Sequence, residues 1–534
     1  MLSFGAISSS PISAIPDGFG VRVGAVVSCA SVESEDRKLY AATEDYISRL
    51  ADAPAGQPFA GTLDKLPTFD RSIVSGAGFA GLTNGFGDAG LINAEGLYDA
   101  MVAGYAVDGR EVVFKAGDPA QPYAAFFEVA RLVAKGITVD GQFLTLALQD
   151  KGFRLDTATQ PTVYLGTGDL EGGSELVGKR RNMALGRVKG ITPVLLIAGE
   201  LLLEVNGGRA IQAVTGVYDT GYPLNFSANY ATTAALRAAP IAGGYYATCL
   251  AEGRIRMGSS YSQITCDVYG DASGAGYVET TGAIIRRIIA LTGCLSDPAE
   301  IDTASFASLD AEQPAPIGYY LDAGATEKVS ETLSRLSAGI DGFCGFTRLG
   351  MLQAGLFKAP GGTPAAEYSD VEIIGDINVE PLPSAFDPPP WRVRVAYDRN
   401  WTVIDDPLPG LAIVDPERSA WVRTPYRVQA TSAVTGANIL DDHLQAQDPD
   451  VMECYFALAA DALALASRRL ALANSDFRLY RVQLKTHPFT HDICQAVRIT
   501  DGLGRLGFKA GKLLRIAAIS DVPDNNTIEL RGFG

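Results

Sequence analysis

Residues 172–182 read GGSELVGKRRN, and inside them Gly173, Gly178 and Lys179 keep the spacing of a phosphate-cradling loop. If this loop holds a nucleotide, a strand must precede it, and a helix must follow whose N-terminal dipole meets the anion. If it does not, it is an ordinary connection in a β-rich chain. Two features favour the second reading. Arg180 occupies the position where a Ser or Thr hydroxyl would hold Mg²⁺. The following residues, RNMALGRVKGITP, carry Gly186, Gly190 and Pro193, too many breakers for a helix. The basic run Lys179, Arg180 and Arg181 is then expected to meet acidic neighbours or solvent.

Working outward, the same β character recurs. Asp108-Gly109 separates YAV from REVVF, and Asp140-Gly141 separates ITV from QFLTLAL; both pairs supply the positive φ of hairpin turns. In QFLTLALQD, Leu144, Leu146 and Leu148 share one strand face, opposite Thr145 and Ala147. GAGFAG at 76–81 imitates a dinucleotide fingerprint, but LTNGFGDAG after it cannot be the required helix. Asn206-Gly207 makes another turn before RAIQAVTGVYD.

Beyond Gly274 the period changes. TTGAIIRRIIALTG places Ile284, Ile285, Ile288 and Ile289 on one helical face with Arg286 and Arg287 off it. TEKVSETLSRLSAG aligns Val329, Leu333 and Leu336, with Thr326 as a start cap and Gly339 as a stop. GFCGFTRLGMLQAGLF reads as two strands around a turn. The proline-rich EPLPSAFDPPP at 380–390 is the best domain boundary. After it come the strand WRVRVAYD, a long helix over 451–473 opened by Asp448 and Pro449 and ended near Asn474, and three closing strands, FRLYRVQL, KLLRIAAI and TIELRGF.

At 534 residues, with 58 Gly and 28 Pro, the chain exceeds one core and favours short strands over long helical bundles. The expected fold is multidomain, β-rich α+β: several small β-barrel or β-sandwich-like domains with a few inserted helices. The expected divisions are a barrel-like domain at 1–160, a second β-rich domain at 161–271, an α+β domain with two helices and a hairpin at 272–380, and a barrel-like domain with one long helix at 391–534.

A net charge of −17 argues against tight nucleic-acid binding, because an anionic surface repels phosphates. Seven cysteines, none in a C-x-x-C pair, read as reduced core residues. MLSFGAISSSPISAIP lacks the basic start and apolar middle of a signal peptide. ITPVLLIAGELLLEV is too short and too interrupted to span a bilayer.

Chemistry is hard to find. The only histidines are His443, His487 and His491. HPFTH has i, i+4 spacing, but Pro488 and strand-like flanks make these loop or surface residues and not a zinc pair. No G-x-S-x-G elbow or calcium loop occurs, and sequence cannot pair carboxylates for glycoside cleavage. No catalytic, cofactor-binding or metal-binding residue is assigned. Tyr245, Tyr246, Trp391, Trp401 and Trp421 offer a sugar platform or a protein contact, against the commoner reading of core or half-buried strand positions.

Several stretches in order, GGYYATCLAEGRIRMG, ITCDVYGDASGAGYVETTGAIIRRII, APIGYYLDAGATEKVSETLSRLSAGIDGFCGFTRLGMLQAGLF, VRVAYDRNWTV and the closing ICQAVRITDGLGRLGFKAGKLLRIAAISDVPDNNTIELRGFG, carry a family resemblance. From about Phe79 onward the chain resembles the tail-hub, or baseplate-hub, proteins of long non-contractile-tailed bacteriophages (siphophages) and gene transfer agents. The departure is near Phe533, where an aromatic such as Trp is expected. The resemblance implies a structural virion protein rather than an enzyme. It would be a homotrimer on the tail axis in which two barrel-like domains per subunit, drawn from the first and last β-rich parts, mimic six tube subunits. Implied partners are the distal tail protein, the tape-measure protein and tail-tip or fibre proteins. DNA would pass only in transit, and synthesis would be in the host cytoplasm. A tail-tip cell-wall hydrolase and a glycan-binding adhesion protein are the alternatives.

Overall fold

The computed structural model describes residues 22–31, 36–75, 78–407, 410–431 and 437–534. The segment 1–16, read above as no signal peptide, lies outside them, as do Gly76 and Ala77 of the glycine-rich 76–81. The protein is β-rich with inserted helices, as its breakers and alternating strands require.

An N-terminal sheet of eight strands has the order Asp36–Ala42, Arg22–Ser31, Glu111–Gly117, Phe127–Asp140, Phe143–Gln149, Asp88–Ile92, Leu63–Lys65, with Tyr105–Ala106 also beside Arg22–Ser31. Every pair is antiparallel. Register shifts at Phe114/Lys115 and Ala134/Gly136 are bulges of the kind that bend a sheet. Leu144, Leu146 and Leu148 are buried as their alternation predicts, beside Phe114 and Leu132. The Asp140-Gly141 turn closes a true hairpin, with Asp140 opposite Phe143 and Gly141 at φ 59°. Asp108-Gly109 does not. Its flanking strands both pair with Arg22–Ser31, so the turn is a jog in one strand line, held by Arg110 N–H to the Val107 carbonyl.

The middle of the chain builds two five-stranded sheets. One runs Tyr222–Pro223, Ile211–Asp219, Ile264–Asp271, Met183–Ile191, Gly318–Leu321; the other runs Val194–Ile197, Leu202–Glu204, Arg254–Met257, Tyr245–Cys249, Asn225–Asn229. They share a core of Val188, Leu203, Val217, Ile255 and Val268. The Asn206-Gly207 turn carries the chain from one sheet to the other. Gly186 and Gly318 face each other in register, and a Cβ on Gly318 would lie 1.7 Å from the Arg187 carbonyl oxygen, so only glycine fits this crossing.

Helices cover this unit. Thr281–Thr292 buries Ile284, Ile285, Ile288 and Ile289 completely. Arg286 faces outward to Asp297, but Arg287 is buried, correcting the expectation that both arginines lie off the apolar face; Asp271 awaits it inside. Val329–Ala338 buries Val329, Leu333 and Leu336. Its start is closed by Glu331, whose carboxylate accepts the Lys328 N–H, rather than by Thr326. Gly339 ends it with right-handed backbone, and the left-handed residue is Asp341. A further helix, Thr303–Glu312, is capped by Asp302 accepting from Ser305 N–H. The strands Gly342–Phe346 and Leu352–Leu356 form the expected hairpin.

The long helix is Ala459–Ala473, not 451–473. Residues before it are extended, because Gly318 N–H donates to the Tyr455 carbonyl and Ala396 N–H to that of Met452. The helix ends at Asn474 as expected.

The C-terminal sheet has the order Ala366–Tyr368, Ala496–Ile499, Lys512–Val522, Thr527–Phe533, Leu479–Lys485, Ile373–Glu380. The second half of Lys512–Val522 pairs with Phe69–Ser72, which in turn pairs with Thr83–Phe86. Strands from the beginning of the chain are thus built into the sheet at its end.

Candidate functional site

The GGSELVGKRRN segment follows one 3₁₀ turn, Asp169–Glu171, contains a second, Ser174–Leu176, and leads into the strand Met183–Ile191. Its amides are already used: Leu176 N–H donates to the Gly173 carbonyl, Gly178 N–H to Tyr164 and Lys179 N–H to Leu176. None of these three points at an anion, so the phosphate cradle is closed by the protein's own carbonyls. Arg180 donates to the Gln160 carbonyl at 2.8 Å, and Arg181 bridges Glu171 at 2.6 Å and Glu204 at 3.2 Å, the acidic partnership expected from its charge.

Arg181 opens onto a buried charge network. Glu204 is fully buried and accepts the Tyr164 hydroxyl at 2.7 Å, while the Arg181 guanidinium lies 4.6 Å over the Tyr164 ring. Burial pushes the Glu204 carboxyl up, against the pull of Tyr164 and Arg181. Asp271, equally buried, accepts from Arg209, Arg287, Asn206 and Ser273. Burial raises it, but these hydrogen bonds and the Arg209 charge prevail and hold it below the ordinary carboxylate range. The network ties the two middle sheets to the helix Thr281–Thr292.

A second buried cluster lies where the N-terminal and C-terminal sheets meet. Phe69 packs edge-on against Phe114 and Phe489. Arg71, 2% exposed, pairs with Asp492, and Arg348 donates to the carbonyls of Val129 and Phe489. Asp521 accepts Phe489 N–H at 2.8 Å, and burial pushes its carboxyl up to about 6. Beside this cluster, His491 is buried and shares a hydrogen bond with the Tyr368 hydroxyl. Burial lowers its pKa; it lies in a loop, one of the two expected places, but packed as an imidazole in the interior and not at the surface. His487 is half-buried. Among the described residues no group of three His, Cys, Asp or Glu is placed to hold a metal ion. The cysteines at 249, 266, 294 and 454 are free and buried.

The expected aromatics separate. Tyr246 and Trp421 are buried, Tyr245 is exposed, and Trp391 stands apart under Arg392. Trp401 lines a cleft of about 720 Å³ with Tyr319, Tyr320 and Tyr455. The indole lies parallel to the Tyr455 ring, 9° between planes and 6.3 Å between centroids, while Tyr319 and Tyr320 meet it edge-on. Arg399 sits 4.7 Å over Trp401 and 5.8 Å over Tyr455. The loop is fixed from below by Asn400, buried, which donates to the carbonyls of Val422 and Thr424 at 3.0 Å each. Around the aromatics stand three ion pairs: Arg335 with Glu327 at 2.8 Å, Arg399 with Glu453 at 3.2 Å and Arg469 with Asp341 at 2.6 Å. Glu327 also accepts the Tyr319 hydroxyl and, at 2.6 Å, that of Thr332. Burial pushes the Tyr319 phenol well up, with Glu327 adding to the rise. Sequence reading singled out Trp401 but missed Tyr319, Arg399 and Tyr455, since residues 319 and 455 are far apart in the chain and are brought together by the Gly318–Tyr455 backbone bond and the edge-on contact of their rings at 5.0 Å.

No helix among the described residues is long and apolar enough to cross a membrane. No family model and no curated protein matches the chain. Among solved structures it is similar to a tail protein from Neisseria meningitidis MC58, at 9% identity and TM-score 0.38, over 97% of each chain. It is also similar to the 43 kDa tail protein of prophage MuSo2 from Shewanella oneidensis, at 8% identity and TM-score 0.40, over 96% of this chain and 98% of that one. A chain of a native gene transfer agent virion matches 50% of this chain and 83% of its own length, at 10% identity and TM-score 0.16. With identities of 10% or less and TM-scores below 0.5, these likenesses do not assign the chain to a family.

Proposed function

We propose that this protein is a structural component of a virion: the central hub of a non-contractile tail tip, a homotrimeric ring that adapts the tail tube and lets DNA through. The ordered sequence resemblance motivates the reading. The observation that carries it is the pair of eight-stranded sheets, one N-terminal and one built from the C-terminal strands with Phe69–Ser72 and Thr83–Phe86 added to them. Three copies would present six such sheets around an axis, matching a six-fold tube. A net charge of −17 suits a channel that DNA must traverse without sticking. In this reading the protein works by shape, without catalysis. It contacts the distal tail protein, the tape-measure protein and tip or fibre proteins, and it resides in the virion after synthesis in the host cytoplasm.

Native mass measurement tests the reading. A symmetric trimer of three 56.3 kDa subunits, or a ring formed with added tail-tube protein, is expected. A protein that stays monomeric alone and with tube protein, or that turns over a substrate at a defined pocket, overturns it.

A further inference from the structure

We propose that the cleft beside Trp401 is a carbohydrate-binding site for a short neutral oligosaccharide. The inference stands on the cleft alone and does not depend on the ring. Its volume of about 720 Å³ falls in the size class of small-ligand sites. One wall is aromatic and rigid: Trp401 is half-buried, clamped by the edges of Tyr319 and Tyr320, with Tyr455 parallel to it. Such a π surface, negative on its face, suits the C–H face of a pyranose.

The rim decides the charge of the ligand. Carboxylates and guanidiniums stand as pairs, Glu327 with Arg335, Glu453 with Arg399 and Asp341 with Arg469, and Asp450 adds one carboxylate. Each pair sets an acceptor beside donors. Vicinal hydroxyls, which both donate and accept, match that alternation. A polyanion does not, because the lining offers four acidic against three basic side chains and no excess cation to release counterions. Arg399, held over both Trp401 and Tyr455, covers part of their faces, so a ligand packs on the exposed remainder of the half-buried Trp401 with the guanidinium donors beside it.

The test uses the full chain. It is screened on a glycan array, then titrated calorimetrically with chitotriose, maltotriose and the best array ligand. Saturable binding is expected, weakened at least tenfold by Trp401→Ala and by Arg399→Ala. Arg399→Ala removes a partly exposed side chain, so its melting temperature shows that the fold is intact. Trp391→Ala, another half-buried tryptophan outside the cleft, should bind as the parent does. Absence of saturable binding to any glycan overturns the proposal, as does binding that Arg399→Ala leaves unchanged or that Trp391→Ala reduces equally. These outcomes are independent of whether the protein forms a trimer.

Discussion

The cost of a buried charge depends on what remains when its partner is removed. Glu204 has no exposure and faces the Tyr164 hydroxyl, Arg181 and, at 3.8 Å, Arg254, so Glu204→Ala strands the Tyr164 hydroxyl in the interior and leaves Arg181 to Glu171 alone. Destabilisation of about 3–5 kcal/mol is expected, read by chemical denaturation, with Glu204→Gln milder because it still accepts from Tyr164. Asp521 gives the opposite lesson. Its carboxyl is pushed from 3.8 up to about 6, so the native state holds a proton that the unfolded chain has lost. Its contribution is fully present below pH 3.8 and fades as pH rises through about 6. Asp521→Asn keeps an acceptor for Phe489 N–H without a titrating group. Relative to the parent it should therefore gain about 2 kcal/mol between pH 4 and pH 7, measured as the difference between the two stability curves. Neither residue was legible as special in the sequence. The signal for Glu204 was a carboxylate in the apolar run ITPVLLIAGELLLEV, and its partner Arg181 belonged to a loop read for another purpose. Arg287 was misplaced for the same reason: helical period shows which face is apolar, but not that a buried carboxylate such as Asp271 waits on it.

Elements whose own period specifies them were read correctly, and errors gather where distant backbone decides. The strand Phe143–Gln149 and the isoleucine face of Thr281–Thr292 follow from local alternation alone. The stretch 451–458 looks helical by composition, yet its carbonyls at Met452 and Tyr455 are claimed by Ala396 and Gly318, more than 50 residues upstream, and it stays extended. Asp108-Gly109 failed as a hairpin because Arg22–Ser31 takes both flanking strands. Caps were missed where the capping group is not the nearest Ser or Thr. This predicts a contrast: Asp302→Ala removes the acceptor for Ser305 N–H and should cost about 1 kcal/mol, whereas Thr326→Ala should stay within about 0.5 kcal/mol of the parent. Equal effects in thermal denaturation would mean that Thr326 closes its helix after all.

At the scale of the molecule, the β-rich class was visible in turn chemistry, while the sharing of strands between chain ends was not, because Phe69–Ser72 and Lys512–Val522 are separated by more than 400 residues of intervening fold. That sharing has a physical consequence. Residues 391–534 alone would lack Ala366–Tyr368, Ile373–Glu380 and Phe69–Ser72, three strands bordering their sheet. The exposed partners would include the second half of Lys512–Val522, which keeps its pairing with Thr527–Phe533 but whose backbone groups on the edge facing Phe69–Ser72 then lie unpaired. The Arg71–Asp492 pair and the Phe69–Phe489 contact would go with them, leaving Asp492 and Phe489 to water. The fragment 391–534 is therefore expected to aggregate or remain molten, without protected amides in the strands Leu479–Lys485 and Thr527–Phe533. A fragment beginning at 366 should regain Ala366–Tyr368 and Ile373–Glu380 yet still expose Lys512–Val522, and supplying residues 58–90 in trans should restore protection there by completing the pairing. Hydrogen exchange on the two fragments, with and without that peptide, reads the difference directly: full protection in 391–534 alone would mean that the closing strands need nothing from the start of the chain.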